Sequence, residues 1–582
     1  MTLRFFIRQL VTDAALKAAA ALNVQLPEGF IPRIDYTPDL KFGHYASPAA
    51  MELAKVFKLP PRAIAEKIVA ALDSSAFEKV ELAGAGFINF TLNTTGIAKG
   101  LAFSSLSGWL KASESETQKD KIIFEYVSAN PTGPMNIVSA RAASVGDSIT
   151  RVLKTAGHEV HREYYVNDYG NQVEMLGLSF AYRYLQKYKS VDLPENCYQG
   201  EYIIEYLERL LTAGEIPSAV RLDSDKIASL NQEAWLGEAA KFFSPLGVKA
   251  ILGEQQKDLA AFRTEFDNFF SEASLHEKGA VLAIGAELKK RGKIKVEEGA
   301  EVFLSTEYGD DKDRVVVRSD GRPTYLLADI AYHNTKVARG FKTIVDIWGP
   351  DHHGYIARLS GALKALGFGE QAGESFKVII AQQVNLMENG EPVVMSKRLG
   401  KFQTMRDLIE KIPVDVCRYF FVTRALSTHL DFDLTLALDQ SKKNPVYYVQ
   451  YAHARIHSIF REAGYDAAKP LSLTEALPSL ITAENPERMA LFFNLMRFPE
   501  LVHDIARNYE IQRLPEYLYQ TATLFTSFYH GKNNRIKDLL VSQPAEAEAL
   551  LQLCSLTAQV LETGLKLLGI TAPQEMHREE EV

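Results

Sequence analysis

The segment from Val127 to Ser139 has the composition of a phosphate-binding turn. It reads Val-Ser-Ala-Asn-Pro-Thr-Gly-Pro-Met-Asn-Ile-Val-Ser, follows an apolar strand pattern at 121–127 and leads into a helical pattern from about Asn136 to Gly157. In a strand–turn–helix unit, free backbone N–H groups and the positive end of the helix dipole meet at the first helical turn. The sequence therefore predicts that an anionic group, such as a phosphate, binds here.

Charged side chains elsewhere in the chain need partners of opposite charge. Glu125 lies inside the apolar strand, where a carboxylate costs free energy unless it is paired, and we expect a cationic ligand to be that partner. Lys397 and Arg398 lie in a loop with Gly400 just after them. Such a pair is either a solvated surface pair or, when it follows a nucleotide-binding sheet, a contact with phosphate.

A third cluster, Trp348-Gly-Pro-Asp-His-His-Gly354, follows an apolar strand and so is expected at the carboxyl edge of a sheet. There Gly349 would let a ligand approach the backbone, and Asp351 could accept hydrogen bonds from ribose hydroxyls. The adjacent His352 and His353 point apart on most backbones, and no further cluster completes a ligand set. We therefore expect no protein-held metal.

The composition narrows the class of protein. Of 582 residues 47% are hydrophobic, which is ample for roughly three or four domains. The three cysteines form no Cys-x-x-Cys pair, so neither a disulfide framework nor a zinc site is expected, and a reducing cytoplasm fits. A net charge of −8 argues against a basic coat that binds nucleic acids nonspecifically, although a local patch could bind RNA. No apolar run of about 18 residues predicts a membrane span.

Hydrophobic patterns divide the chain into three parts. Residues 1–115 mix helical patterns with one strand pattern, which predicts a small α+β domain. Residues 116–440 open with a β-α-β pattern, which predicts an α/β domain built on a parallel sheet. Residues 441–582 repeat a helical pattern from Asn444 onward, with Asn as the cap and Pro at the first helical position, which predicts an α-helical bundle.

The middle part contains a mostly helical, charged stretch at about 185–300. Such a stretch would be an insertion between two halves of one sheet. The strand patterns expected to resume that sheet lie at 314–318, 342–348 and 377–382.

Seven stretches, in order along the chain, resemble arginyl-tRNA synthetases, which are class I aminoacyl-tRNA synthetases. These stretches are Glu125–Pro134, Tyr164–Asp168, Ser305–Arg314, Pro323–His333, Trp348–Gly354, Met395–Arg398 and Asn444–Arg455. The resemblance implies an N-terminal tRNA-binding domain, a class I nucleotide-binding (Rossmann-like) catalytic domain split by a helical insertion, and an α-helical anticodon-binding domain.

The implied reaction joins L-arginine to tRNA(Arg). ATP would be a substrate that brings Mg²⁺ with it, an arginyl-adenylate would form, and AMP and pyrophosphate would be released. The resemblance also implies a monomer, the family's common form, and no membrane partner. The cytoplasm is the expected location.

The resemblance assigns the side chain of the substrate arginine to Asp329 and Tyr325, which lie four apart in a helical pattern and so share one face. A guanidinium is a planar fork of donors that keeps its charge, so a carboxylate is its matching acceptor. Glu125 and Asn130 match the residues that hold the α-amino end of the substrate. The alternative for Asp329 is structural, as the partner of Arg339 or as the cap of a neighbouring element.

The resemblance also assigns the ATP and tRNA contacts. The ATP phosphates would contact Asn136, Ser139, Ser396, Lys397 and Arg398, and the adenosine would contact Gly349, Asp351 and His352. Tyr448, Tyr451 and Arg455 lie at i, i+3 and i+7 of a helix, and this stripe could stack on nucleotides of a tRNA loop. An aromatic stripe at this spacing more often belongs to a core, and the amphipathic Tyr hydroxyls leave both roles open.

The first family signature is altered in this chain. Where the family has His, a hydrophobic residue, Gly and His, the chain has Asn136, Ile137, Val138 and Ser139. Asn and Ser remain hydrogen-bond donors, but the β-branched Val138 fills space where the nucleotide base would pack against bare backbone. The whole signature segment comprises Ala129, Asn130, Pro131, Thr132, Gly133, Pro134, Met135, Asn136, Ile137, Val138 and Ser139.

Two hypotheses follow from the altered signature. In the first, the chain is a working arginine–tRNA ligase in which Lys397, Arg398 and the helix dipole compensate for the missing imidazoles. In the second, it is a catalytically impaired synthetase-like protein that binds tRNA. The joint presence of Asp329, Tyr325, Glu125 and Lys397 favours the first hypothesis, because a relict site needs none of them.

Asn136→His alone is expected not to restore a standard site, because Val138 still occupies the space above the turn. The gain in kcat for tRNA arginylation should stay well below the roughly 10²–10³-fold that one preorganised donor contributes. A sharp rise in kcat would contradict this steric argument.

Overall fold

The computed structural model of the chain describes residues 1–101, 103–116, 119–214, 216–371, 373–393, 404–482 and 484–576. An N-terminal α+β part, a central α/β part and a C-terminal helical part follow one another along the chain. One continuous hydrophobic cluster runs through all three and includes Phe90, Phe124 and Phe492. Within the described part of the chain, no helix has both the length and the apolar character that a membrane crossing requires.

The N-terminal part is a four-stranded antiparallel sheet with helices around it. Its strands, in the spatial order β1-β2-β4-β3, are β1 (Asp35–Tyr36), β2 (Tyr45–Ser47), β3 (Phe77–Ala83) and β4 (Phe87–Leu92). Its helices are α1 (Leu3–Ala21), α2 (Ala49–Glu52), α3 (Ala54–Phe57), α4 (Pro61–Ala71), α5 (Thr94–Ala98) and α6 (Leu106–Ser113). The predicted α+β composition is confirmed.

The central part contains a five-stranded, fully parallel sheet in the order β12-β11-β5-β6-β7. Its strands are β5 (Lys121–Glu125), β6 (Glu159–Val166), β7 (Asn268–Ser271), β11 (Thr343–Trp348) and β12 (Ser375–Ile380). Helix α7 (Ile137–Thr155) connects β5 to β6. The carboxyl ends of all these strands lie at one edge, where a sheet of this kind binds its ligands.

Helices fill most of the connection between β6 and β7 and form a separate hydrophobic cluster around Phe180 and Phe243. They are α8 (Asn171–Leu185), α9 (Tyr202–Thr212), α10 (Ser224–Ala228) and α11 (Gln232–Ala261). The region expected to be a helical insertion also contains β7, which joins the main sheet. The next elements are α12 (Ala273–Glu277), α13 (Ala280–Lys290), β8 (Ile294–Glu297), β9 (Ala300–Phe303) and β10 (Arg314–Val317).

The expectation that 314–318 rejoins the main sheet is wrong. Strand β10 pairs antiparallel with β9 in a separate three-stranded sheet of order β10-β9-β8. Antiparallel strands can be joined by a short loop, whereas parallel strands need a longer crossover connection. A strand pattern in the sequence does not distinguish between these two partners.

The remaining central elements lead into the bundle. They are α14 (Tyr325–Ala338), α15 (Ile356–Ala365), β13 (Val384–Glu388), β14 (Glu391–Pro392), α16 (Met405–Lys411), α17 (Val414–Phe421), β15 (Leu430–Asp433) and α18 (Leu434–Leu438). The bundle comprises α19 (Pro445–Ala463), α20 (Leu473–Leu480), α21 (Pro486–Met496), α22 (Phe498–Asn508), α23 (Arg513–His530), α24 (Ile536–Ser542) and α25 (Pro544–Leu567). Asn444 caps α19 as predicted, because its side-chain oxygen accepts from the backbone N–H of Val446 at 3.1 Å.

A buried ion pair joins the sheet to the bundle. Arg418 on α17 donates to Oδ2 of Asp147 on α7 at 2.5 Å, and both side chains are fully buried. The same guanidinium donates to the carbonyl of Leu568, which follows α25, at 2.7 Å, and to that of Phe262, which follows α11, at 2.9 Å. Gly569 lies so close that a Cβ there would be 2.5 Å from the guanidinium. One side chain thus links four elements.

Arg418→Leu is expected to destabilise the chain by about 3–5 kcal/mol, because it leaves the Asp147 carboxylate buried without this partner. Arg151→Leu is the matched control, since Arg151 is a partly exposed partner of the same carboxylate and should contribute about 1 kcal/mol or less. Urea unfolding followed by circular dichroism measures both changes. Equal losses in the two variants would contradict the role given to Arg418.

Candidate functional site

The turn after β5 leads directly into α7, as the sequence predicted. Asn136 is the N-cap of α7: its Oδ1 accepts from the backbone N–H of Ser139 at 2.9 Å and from the Ser139 hydroxyl at 3.1 Å. Asn136 is exposed and Ser139 is half-buried. Capping uses the oxygen of the Asn136 amide and leaves its NH₂ group as a donor at the helix N-terminus.

The start of the turn has an unusual backbone. Val127 and Ser128 have φ values of +70° and +41°, a region that a β-branched residue such as Val rarely adopts. The Ser128 hydroxyl holds this conformation, because it donates to Oε1 of Glu125 at 3.0 Å and accepts from the backbone N–H of Tyr165 at 3.0 Å. The turn is thereby fastened to both β5 and β6.

Helices of the insertion hold the rest of the turn. Gln255 on α11 donates to the backbone oxygens of Asn130, at 3.0 Å, and Gly133, at 2.8 Å. Tyr202 on α9 donates to the backbone oxygen of Thr132 at 2.6 Å. The insertion therefore satisfies carbonyl groups that would otherwise compete for an incoming ligand's donors.

The second predicted phosphate contact, Ser396, Lys397 and Arg398, lies outside the described residues. The chain is described again from Thr404, which bridges to Asn136, and the backbone N–H of Met405 donates to the carbonyl of Met135 at 2.8 Å. Thr404 and Met405 therefore lie against the residues that lead into α7.

Helix α14 begins at Tyr325 and presents Asp329 one turn later. Asp329 is half-buried, and its Oδ2 accepts from the Tyr355 hydroxyl at 2.7 Å. Burial raises the pKa of Asp329 above its ordinary value, although this hydrogen bond opposes the rise. Among the described residues, no Lys, Arg or His forms an ion pair with Asp329. Tyr325 is 65% exposed.

Arg339 is not the partner of Asp329, so that structural alternative is wrong. Its guanidinium instead forms two hydrogen bonds to Glu163 on β6, at 2.7 and 2.8 Å. Tyr332 donates to the same carboxylate at 3.0 Å. Asp329 therefore keeps a carboxylate that no cation of the described chain neutralises.

A second carboxyl group, Glu272, lies near enough to Asp329 for their charges to interact, and it was not expected from the sequence. It is buried at the end of β7, and burial, followed by the charge of Asp329, raises its pKa to about 7. The nearby Asp168 is already occupied, since it accepts from the Ser271 hydroxyl at 2.6 Å and from the Ala273 N–H at 2.8 Å. In the sequence, Glu272 is an acidic residue directly after the strand-like Asn-Phe-Phe-Ser. It was missed because that segment was assigned to the helical insertion.

Glu125 has a cationic partner within the chain, so its burial does not require the cation of a ligand, as the sequence had suggested. Nζ of Lys336 donates to Glu125 at 2.7 Å and to Asp346 at 2.8 Å. Glu125, His333 and Asp346 could by residue type form a metal site. The Lys336 amino group, which is also 3.4 Å from Nε2 of His333, already lies among them.

The predicted adenosine segment lies at the carboxyl end of β11. Gly349 is followed by a 3-10 helix, Pro350–Tyr355, on which Asp351 and His352 are exposed. A Cβ on Gly349 would meet no atom within 4 Å, so open space lies above its backbone. This segment therefore shares the sheet edge with the N-terminus of α7.

The predicted tRNA stripe lies on α19 and is half-buried. The Tyr448 hydroxyl donates to Oγ1 of Thr526 at 3.2 Å, and the guanidinium of Arg455 lies 4.8 Å from the ring centre of Tyr529. Lys442 lies 5.4 Å from the ring centre of Tyr451. The stripe thus packs on α23 and also reaches the surface.

A cavity of about 1180 Å³ lies away from this site. Its wall includes Asp120, Thr343 and Ser375, which mark the amino ends of β5, β11 and β12. None of the predicted site residues within the described ranges lines it. The predicted phosphate turn and the predicted adenosine segment lie instead at the opposite, carboxyl edge of the sheet.

Family models match three consecutive parts of the chain. Residues 6–92 match the arginyl tRNA synthetase N terminal domain, 105–411 the catalytic domain of class I (R) tRNA synthetases, and 449–576 the DALR anticodon binding domain. The chain belongs to the arginyl-tRNA synthetase family. The family and class I fold that the sequence predicted are confirmed.

Individual members of the arginyl-tRNA synthetase family agree with this assignment. An arginine–tRNA ligase of Leptospira interrogans is 45% identical over 98% of this chain and 99% of its own length, and one of Bacillus licheniformis is 40% identical over 98% of both. The structure of the Thermus thermophilus arginyl-tRNA synthetase covers 98% of this chain and 100% of its own, with a TM-score of 0.74 and 23% identity. That structure shows the shared fold.

Glu272→Gln tests the raised pKa of this carboxyl group. A carboxyl with a pKa of about 7 in the folded chain and 4.5 ordinarily binds its proton more tightly when folded, so it favours folding at low pH and costs free energy as pH rises through that window. Relative to the Gln variant, the free energy of unfolding of the unchanged chain should fall by at most about 3 kcal/mol as the pH rises from 4.5 to about 7.

Urea unfolding of both proteins across this pH range measures that difference. Glu277→Gln, which changes an exposed carboxyl at the end of the adjoining helix α12, is the matched control and should follow the unchanged chain. A Glu272→Gln difference that stays constant with pH would show that the carboxyl does not keep its proton in the folded chain.

Proposed function

We propose that this chain is an arginine–tRNA ligase. It activates L-arginine with ATP to arginyl-adenylate, transfers the arginine to the 3′ end of tRNA(Arg), and releases AMP and pyrophosphate. The observation that carries the proposal is the pair of carboxyl groups, Asp329 and Glu272, at the carboxyl edge of a class I sheet, with no described cation to neutralise Asp329. Relatives 40–45% identical over nearly the whole chain bear the ligase name, which favours this activity over an impaired tRNA-binding protein.

The guanidinium of arginine is proposed to bind between Asp329 and Glu272. A planar, permanently charged fork matches two carboxylates, and binding would favour loss of the Glu272 proton. Tyr325, one helical turn before Asp329, would pack or hydrogen-bond beside the guanidinium. Glu125 and Asn130 would hold the α-ammonium group, which leaves the α-carboxylate free to react.

The reaction then has two displacements. A carboxylate oxygen of arginine attacks the α-phosphorus of ATP, the bond to the bridging oxygen breaks, and pyrophosphate leaves with that electron pair. A hydroxyl of the terminal ribose of tRNA next attacks the activated carbonyl carbon, loses its proton, and AMP leaves. Both steps build negative charge on phosphate oxygens, so preorganised donors accelerate them.

The donors for the phosphates are proposed to be the N–H groups of α7, the NH₂ group of Asn136 and the hydroxyl of Ser139. Ser396, Lys397 and Arg398 are proposed to complete this site from the adjoining segment. Gly349, Asp351 and His352 would bind the adenosine. Mg²⁺ would arrive with ATP, because such ions are usually held by substrate phosphates together with few protein ligands.

The tRNA is proposed to contact the N-terminal domain and the bundle, with Tyr448, Tyr451 and Arg455 at the anticodon end. The half-buried stripe on α19 supports a stacking role, since its aromatic rings are positioned by α23 and still reach the surface. A monomer in the cytoplasm is proposed as well. All three cysteines are free and buried, which suits a reducing compartment.

Asp329→Asn tests the arginine assignment. The variant keeps the shape of the side chain but loses the charge, so kcat/KM for arginine in tRNA arginylation should fall at least about 10²-fold. ATP binding, followed by equilibrium dialysis, should stay unchanged. An unchanged KM for arginine would contradict the assignment.

Asp320→Asn is the matched control for this experiment. Asp320 is an exposed carboxylate on the turn before α14 and pairs with Arg322 at the surface. The same chemical change there should leave the kinetics as they are. A similar loss in both variants would point to a general effect of charge rather than to arginine binding.

A further inference from the structure

Two buried carboxylates face each other on neighbouring strands of the main sheet. Glu125 on β5 and Asp346 on β11 are register partners, and they are only 5% and 0% exposed. Like charges this close oppose each other's ionisation, and burial adds to the penalty. Without a cation between them, one of the two carboxyl groups would keep a proton.

Lys336 supplies this cation from α14. Its side chain is fully buried, and its Nζ donates to Oε2 of Glu125 at 2.7 Å and to Oδ1 of Asp346 at 2.8 Å. The same ammonium lies 4.4 Å from the ring centre of Tyr332, a favourable cation–π distance. Burying a lysine ammonium costs free energy unless the ammonium is paired. The two carboxylates therefore stabilise Lys336 in this position.

The two carboxyl groups respond differently to the shared cation. Burial pushes the pKa of Asp346 up, but Lys336 and His333 outweigh it, so this pKa lies below its ordinary value. Burial raises the pKa of Glu125, Lys336 opposes the rise, and Asp346 adds to it. The two groups also differ in their hydrogen bonds: Asp346 lies 2.6 Å from Nε2 of His333, whereas Glu125 accepts from Lys336 at 2.7 Å and from the Ser128 hydroxyl at 3.0 Å.

We propose that Lys336 is a positioning residue for arginine: it keeps Glu125 ionised and fixes its orientation, so that Glu125 can hold the α-ammonium group of the substrate. The inference rests on the proposed function, in which Glu125 has that contact. Lys336 itself would not touch arginine, because its amino group is enclosed between the two carboxylates. It acts through Oε2 of Glu125, while Ser128 fixes Oε1.

Helix α14 thereby contributes to the binding of both the guanidinium and the α-ammonium group of arginine. Asp329 is directed at the guanidinium, and Lys336, seven residues later, acts on the α-amino contact. His333 joins the two, since its Nδ1 lies 2.8 Å from the backbone oxygen of Asp329 and its Nε2 contacts Asp346. One rigid helix therefore sets the spacing between the two groups that define an L-arginine molecule.

Charged and titratable groups approach Lys336 from its own helix and from the neighbouring strands. Tyr332, His333 and Asp329 come from α14, Glu125 from β5, and Asp346 from β11. Glu163 on β6 is the next carboxylate, and Arg339 neutralises it. Glu125 is therefore the carboxyl group whose ionisation depends most directly on Lys336.

Lys336→Met is the central variant. We expect kcat/KM for arginine to fall about 10- to 100-fold at neutral pH, with KM for ATP changed by less than about twofold, since a hydrogen bond to a charged group contributes this much. The pH profiles are measured in the Glu272→Gln background, because the pKa of Glu272 is also raised, to about 7, in the proposed arginine site. There the acidic limb of the kcat/KM profile for arginine should move to higher pH by about one unit or more, because Glu125 now ionises beside Asp346 without a cation.

Asp346→Asn provides the opposite change and a check against misfolding. Alone, it leaves Lys336 entirely to Glu125, so the acidic limb should move to lower pH. Combined with Lys336→Met, it removes the opposing carboxylate and should return the limb toward that of the unchanged chain. A purely structural role for Lys336 would not produce these opposite shifts.

Glu125→Gln separates a failure of this inference from a failure of the proposed function. If Glu125→Gln leaves KM for arginine unchanged, the proposed contact of Glu125 is wrong. If Glu125→Gln raises KM but neither Lys336→Met nor Asp346→Asn moves the acidic limb, the inference about Lys336 is overturned. If Lys336→Met does not fold, the shift in Asp346→Asn decides the question alone.

Discussion

The ion pair network around Lys336 is the constraint on which the site depends. Two neighbouring strands of a buried sheet both carry a carboxylate, and both carboxylates can be ionised in this register only if a cation lies between them. Helix α14 brings that cation and, with the same face, brings Asp329 to the sheet edge. The packing of one helix against the sheet is thus tied to the charge balance of the substrate pocket.

The parallel sheet explains why distant segments of the sequence meet. The turn before α7, Glu272 after β7 and the segment after β11 all follow strands whose carboxyl ends lie at one edge. The insertion holds the turn through Gln255 and Tyr202. A long charged helical stretch therefore contributes to the site by fixing backbone carbonyls rather than by supplying reactive groups.

The altered signature residues Asn136 and Ser139 have a structural role at the start of α7. Asn is among the best N-cap residues, and Asn136 uses its oxygen to close the first turn of α7 on Ser139. The two substituted positions therefore act as a unit that orders the helix N-terminus, the part of the molecule where the dipole favours an anion. Val138, between them, is half-buried and is the substitution that adds a β-branched side chain where the family signature has Gly.

Much of this protein follows from the sequence alone, and the remainder has an identifiable cause. The β-α-β pattern, the cap at Asn444, the helical spacing of Tyr325 and Asp329 and the family resemblance are local or motif-based. They predicted the fold class and the starts of α7 and α19, and they supplied the candidate site residues that are proposed above. Four features were not predictable in this way: the partner of β10, the strand at 268–271, the Lys336 cation for Glu125 and the pairing of Arg339 with Glu163. Each depends on contacts between residues far apart in sequence, and the side-chain pattern of a single segment shows that a group is buried without showing which group neutralises it.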